Sequence, residues 1–112
     1  MPSSSGGRFR LSAEATGRLA KDVLPTTFML AQNYPNPFNP TTTIKYDLPV
    51  DSRVSLKIYD VLGREVMNLV DGPMSAGFHH MTVDGSSLAS GVYFYRIDAG
   101  LFTQVKKLLL LK

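Results

Sequence analysis

Residues 44–58 read Ile-Lys-Tyr-Asp-Leu-Pro-Val-Asp-Ser-Arg-Val-Ser-Leu-Lys-Ile, and two alternating runs within them point to the architecture. Ile44, Tyr46 and Leu48 alternate with Lys45 and Asp47. After an interruption, Val54, Leu56 and Ile58 alternate with Arg53, Ser55 and Lys57. Apolar residues two apart share one side of an extended chain, so both runs read as half-buried strands facing a core. A helix would need its apolar residues three and four apart. The proline and aspartate between the runs suit a connection rather than a continuation.

The same reading extends towards the C-terminus. Asp60-Val-Leu-Gly63 is expected to be a hairpin loop, with Gly63 in the left-handed position. Arg64 to Val70 is a further strand, and Val66 and Leu69, three apart, imply a bulge if both are buried. Gly72-Pro73 to Gly77 reads as a loop, Phe78 to Asp84 as a strand closed by Asp84-Gly85. Gly91 to Asp98 is the strongest strand, rich in aromatic and β-branched residues. Ala99-Gly100 turns the chain into the last strand, Leu101 to Leu111. Six or seven short strands separated by turn signals predict an all-β, antiparallel sandwich. Its core is expected to include Ile44, Tyr46, Leu56, Ile58, Val83 and Leu109.

Towards the N-terminus the texture differs. Asn33-Tyr34-Pro35-Asn36-Pro37-Phe38-Asn39-Pro40 interleaves three prolines with three asparagines. Each proline pushes its predecessor towards extended geometry and each asparagine favours a turn, so Phe28 to Pro40 reads as an ordered, non-helical crossing loop. Tyr34 and Phe38 are expected to pack as plugs, since aromatic rings in loops usually bury. Residues 1–27, with Met-Pro-Ser-Ser-Ser-Gly-Gly at their start, read as a flexible linker or the end of a preceding region; the domain proper is placed at 28–112.

Composition bounds the function. A chain of 112 residues with 44% hydrophobic and 19% charged residues is one globular domain. The absence of cysteine removes disulfide, thiolate-metal and thiol-nucleophile chemistry. The longest aliphatic run, Leu108 to Leu111, falls far short of the roughly eighteen residues of a membrane-spanning helix. Of the formal net charge of +3, +2 lies in residues 1–27, and the remainder carries eight basic and seven acidic groups. No basic face for nucleic acid emerges. Glu14, Arg18, Lys21 and Asp22 interrupt any secretory h-region, so the chain is expected to lack its own signal peptide.

Several motifs in register resemble the type A C-terminal sorting domain of the type IX, or Por, secretion system. The resemblance begins at Asn33 to Pro40 with Thr41-Thr-Thr-Ile-Lys-Tyr-Asp-Leu-Pro49, and continues through Val54 to Val66 and Ala76-Gly77 with His79. It ends at Leu88-Ala-Ser-Gly-Val-Tyr-Phe-Tyr-Arg96 and Lys106-Lys-Leu-Leu-Leu-Leu-Lys112. It implies an immunoglobulin-like sandwich of about seven strands, fused behind a cargo domain and read by the outer-membrane secretion machinery. A sortase-like peptidase would remove the domain, and the cargo would end on the cell surface or be released. A second reading, a structural or adhesive module, follows from similarity around Asn33 to Leu48 to the immunoglobulin-like domain of the flagellar hook capping protein.

The resemblance makes Asn33 to Pro40, Gly63, Gly91, Tyr93, Lys106, Lys107 and Lys112 candidates for recognition. The bland reading of the three lysines is solubility and protection of an apolar terminal strand from edge pairing. His79 and His80 are strand neighbours on opposite faces and cannot chelate one metal together; His79 suits a partly buried, hydrogen-bonded histidine. The aspartates at 47, 51, 60, 71, 84 and 98 fall at strand ends and turns, where capping explains them. No nucleophile elbow and no metal-ligand spacing is present, so neither enzyme nor cofactor is expected. Gly91 to Ile97 is apolar on both faces, with Val92 and Phe94 on one and Tyr93, Tyr95 and Ile97 on the other. The expectation is that the Phe28 to Pro40 loop, or sheet twist, covers the surplus face. A processing cut is expected within Gly17 to Thr27, where an unpaired segment would fit a protease.

Overall fold

The computed structural model describes residues 23–112. Among them lie seven strands and no helix: β1 (Met29–Leu30), β2 (Thr41–Leu48), β3 (Ser52–Tyr59), β4 (Glu65–Met74), β5 (Gly77–Asp84), β6 (Gly91–Ala99) and β7 (Phe102–Leu110). They form two antiparallel sheets, ordered β1-β2-β5 and β4-β3-β6-β7. The chain changes sheet between β2 and β3, β4 and β5, and β5 and β6, so neighbours in sequence are often not neighbours in a sheet. Three strands facing four with these crossovers is the architecture of immunoglobulin-like sandwiches.

The period-two residues meet in one core. Ile44, Tyr46 and Leu48 of β2 and Val83 of β5 face Val54, Leu56 and Ile58 of β3, Tyr93, Tyr95 and Ile97 of β6, and Leu108 and Leu110 of β7, all buried. Leu56→Ala should destabilise the domain by about 2–5 kcal/mol, because neighbouring strands close only part of the cavity. Urea unfolding of the full chain checks it; a loss below about 1 kcal/mol would place Leu56 outside the core.

Two expectations change and a third holds. Leu109 is only half-buried, and Leu108 and Leu110 take the core positions. Four consecutive leucines carry no alternation, so their phase is set by pairing: Leu108 lies opposite Tyr93, and cross-strand partners share a face. Residues Gly72 to Met74 are not loop but the end of β4, with Pro73 opposite Arg53. β4 is an edge strand, where a proline without an N–H donor is tolerated. The bulge expected there exists, as register shifts against β3 between Leu56 and Lys57 and between Ile58 and Tyr59; both Val66 and Leu69 pack against the core.

The turns follow their chemistry. Asp60 Oδ1 accepts the Leu62 and Arg64 amides at 2.9 and 3.0 Å, and Gly63 takes φ +83° as the hairpin requires. Hydrogen bonds from the Arg64 backbone hold the Asp60 carboxyl below the usual carboxylate range. Asp51 Oδ1 accepts the Ala76 amide at 2.9 Å and ties the β2–β3 and β4–β5 links together. The linker expected over residues 1–27 lies, as far as Asp22, outside the described residues. Beyond it Pro25 is buried, and Phe28 stacks on Phe102 with ring centroids 5.3 Å apart.

Candidate recognition site

The Asn/Pro segment is a strap between the two sheets. On one side Tyr34 and Thr43 exchange backbone hydrogen bonds, each 3.0 Å, which fastens the strap to β2. On the other side it follows the outer edge of β7. Gln32 Nε2 donates to the Lys107 carbonyl at 2.7 Å, and the Leu109 amide donates to Asn36 Oδ1 at 3.0 Å. The Phe38 amide donates to the Leu109 carbonyl and the Leu111 amide to the Phe38 carbonyl, both at 3.0 Å. These bonds satisfy backbone groups that an edge strand would otherwise expose to another chain.

Asn33 anchors the start of the strap. It is buried and held by hydrogen bonds: its amide donates to Tyr95 Oη at 2.8 Å, its Nδ2 donates to Thr42 Oγ1 at 3.0 Å and to the Pro35 carbonyl at 3.2 Å, and its Oδ1 accepts from Gln32. Thr42 Oγ1 donates to the same Pro35 carbonyl. Tyr95, fully buried on β6, also donates from Oη to the Ala31 carbonyl at 2.6 Å. Burial pushes the Tyr95 hydroxyl up to about 12, with the Asn33 amide pulling weakly the other way.

That linkage has a sign. The folded protein resists ionising Tyr95 more than the unfolded chain does, so its stabilising contribution is whole below about pH 10 and is lost as pH rises towards 12. Tyr95→Phe should cost about 1–3 kcal/mol at neutral pH by stranding the Asn33 amide and Ala31 carbonyl, and should flatten the alkaline loss. Unfolding curves at a series of alkaline pH values check both; an unchanged pH profile would remove Tyr95 as its source.

Phe38 is the plug expected, 2% exposed, whereas Tyr34 is not: it is 82% exposed. A bridge residue sends alternate side chains to opposite sides, and Asn33 holds the inward place. Tyr34, Pro35, Asn36 and Pro37 therefore form an exposed run on a backbone pinned at both ends. Asn39 is also exposed, and the Pro40 carbonyl accepts the Gly85 amide at 2.8 Å.

The C-terminal candidates meet this strap. Lys107 is exposed, Lys106 half-buried on the other face of β7, and Lys112 binds back through its amide to Ser90 Oγ at 3.0 Å and through Nζ to the Ser86 carbonyl at 2.7 Å. Among the described residues none of the three has a carboxylate within ion-pair distance. Gly91 opens β6 opposite Leu110. Tyr93, 7% exposed, donates from Oη to the Ala89 carbonyl four residues upstream, the corner-locking bond of immunoglobulin-like folds. The turn holding Gly63 shares a shallow groove with Ser90 to Tyr93.

Gln32, Thr42, Tyr95, Ser86 and Ser90 were not singled out in the sequence, yet they hold the site. Tyr95 carried a signal: a tyrosine at a core phase must find a partner for its hydroxyl. The strap lies along the β7 edge and against Tyr95, not over the surplus face of β6; Val92 is 36% exposed, and Phe94 lines a shallow groove with Tyr59, Val61, Arg96 and Val105. His79 is half-buried, stacks on Tyr46 and lies 2.7 Å from the Ser75 carbonyl through Nε2, while His80 faces out. Among the described residues no group of three or more histidines or carboxylates is placed to hold a metal ion, and no helix is long and apolar enough to cross a membrane.

Fold and site together define an immunoglobulin-like β-sandwich whose terminal strand is framed by a rigid N-terminal strap. Residues 32–111 match the family model described as the secretion system C-terminal sorting domain, and the chain belongs to that family. The matched span starts at Gln32, whose side chain donates to the Lys107 carbonyl, and ends at Leu111, whose amide donates to the Phe38 carbonyl. No curated protein matches the chain. Membership makes it a C-terminal sorting signal of type IX secretion, with the secretion machinery as partner and secreted or cell-surface proteins as cargo.

Proposed function

We propose that this domain is a non-catalytic signal that carries N-terminally fused cargo to the outer-membrane type IX machinery, and that the machinery reads the strap and the end of β7 as one surface. The observation that supports this is the direct bonding of Gln32, Asn36 and Phe38 to Lys107, Leu109 and Leu111, which unites motifs some seventy positions apart in sequence. Asn33, Phe38, Gly63, Gly91 and Tyr93 act in this reading by shaping the surface. Tyr34, Pro35, Asn36, Pro37, Lys106, Lys107 and Lys112 present it, with Asn39 and Pro40 closing the strap. A sortase-like peptidase then separates cargo from domain, upstream of the buried Pro25, and the cargo is attached to the cell surface or released.

The test fuses residues 1–112 behind a periplasm-targeted reporter in a host carrying the type IX machinery. The domain should export the reporter. Replacing Lys106, Lys107 and Lys112 together by glutamine keeps the strand pattern and should reduce export at least about tenfold if the ammonium groups contribute several screened contacts. Normal export of that variant would show that these charges are not read. A reporter that stays periplasmic with the unaltered domain would instead favour a module retained on an assembled structure.

A further inference from the structure

Sandwiches have four edges, and this one guards three. β1 is two residues long. The outer edge of β7 is strapped by Gln32 to Phe38. β4 carries two register shifts, a Gly72-Pro73 pair and the acidic Glu65 and Asp71, all of which oppose strand addition. β5 has none of these except an acidic residue, Asp84, at its last position. It pairs with β2 without a register shift over eight residues, contains neither proline nor lysine, and among the described residues no strand or loop is bonded along its outer edge. Phe78 beside that edge is 59% exposed.

We propose that β5 pairs antiparallel with β5 of a second copy, about a twofold axis between the two Thr82 residues. Both copies must keep core-facing side chains on one side of the joined sheet, so the axis falls between two identical residues. The charge pattern selects which one. Centring on Thr82 sets the exposed His80 of each copy opposite Asp84 of the other, Thr82 opposite Thr82, and core-facing Met81 opposite Val83. A histidine–carboxylate pair made twice, a threonine pair and two apolar pairs are the combinations that stabilise antiparallel neighbours. Centring on His80 would set two imidazoles face to face, and centring on Met81 would set Phe78 against Asp84. The resulting sheet, β1-β2-β5-β5-β2-β1, closes on itself through its twofold and leaves no open edge for a filament. The proposal is independent of the sorting role.

Sedimentation of the full chain from about 1 μM to 1 mM tests it. The mass should rise from monomer to dimer with concentration. Thr82→Lys, which places two ammonium groups together on an exposed position, should weaken association at least about tenfold. His80→Glu should weaken it as well, because it faces Asp84 of the second copy, whereas His80→Lys should preserve or tighten it. Both substituted side chains, His80 and Thr82, are exposed, and thermal melts verify that the variants fold. A monomer throughout the range, a dimer indifferent to Thr82→Lys, or equal weakening by His80→Glu and His80→Lys would each overturn the proposal.

Discussion

Phe38→Ala is expected to remove about 3–5 kcal/mol, a large share of the roughly 5–15 kcal/mol available to a domain of this size. The ring is 2% exposed although it sits in a proline-rich loop. Its surroundings have little room to collapse into the space it would leave. A methyl group built on Gly85 would lie 3.2 Å from Phe38 Cε2 and Leu110 Cδ2, and 3.3 Å from the Pro40 carbonyl, so three segments already meet there at close packing. The backbone of Phe38 also carries two of the bonds to the β7 edge, at the Leu109 carbonyl and the Leu111 amide. Loosening the ring therefore loosens the strap, and the C-terminal edge becomes available for wrong pairing. Denaturant unfolding measures the first effect and export of a fused reporter the second. Phe38→Leu should fall between wild type and alanine on both. A cost below about 1 kcal/mol for alanine would show that the ring is not part of the core.

Tyr34→Ala is expected to do the opposite: to leave stability within about 0.5 kcal/mol of wild type and to reduce export severely. Its side chain is 82% exposed, and its backbone bonds to Thr43 do not depend on the side chain. An amphipathic ring held on a pinned backbone between Asn33 and Pro35 loses little conformational freedom on docking, which is why such residues serve as anchors at interfaces. Comparing the pair of variants separates folding from recognition. If Phe38→Ala abolishes export and Tyr34→Ala does not, the strap acts through the fold alone. If both abolish it while Tyr34→Ala melts like wild type, the exposed run is read directly.

The class of fold and most of its strands are legible in residue order alone, although β1 and the end of β4 read as loop. Alternation at Ile44–Leu48 and Val54–Ile58 needs no partner to be recognised, because a one-residue slip would turn every apolar side chain into water. Asp60 to Gly63 and the bulge in β4 were legible for a similar reason: turn geometry and spacing are local properties. The motifs of the strap and of Lys106 to Lys112 were also visible as sequence. What they do to each other was not, since nothing local says that Asn36 faces Leu109 or that Tyr95 receives the amide of Asn33. Which ring of the strap is core and which is surface emerges only in the folded chain, where Phe38 and Tyr34 part company. The fold also sets the phase of Leu108 to Leu111, through pairing with β6, and which of the four edges stays open among the described residues. Periodicity reports the side of a strand that faces inward, but edge protection, buried hydroxyl partners and the phase of an unbroken apolar run depend on what the fold places alongside.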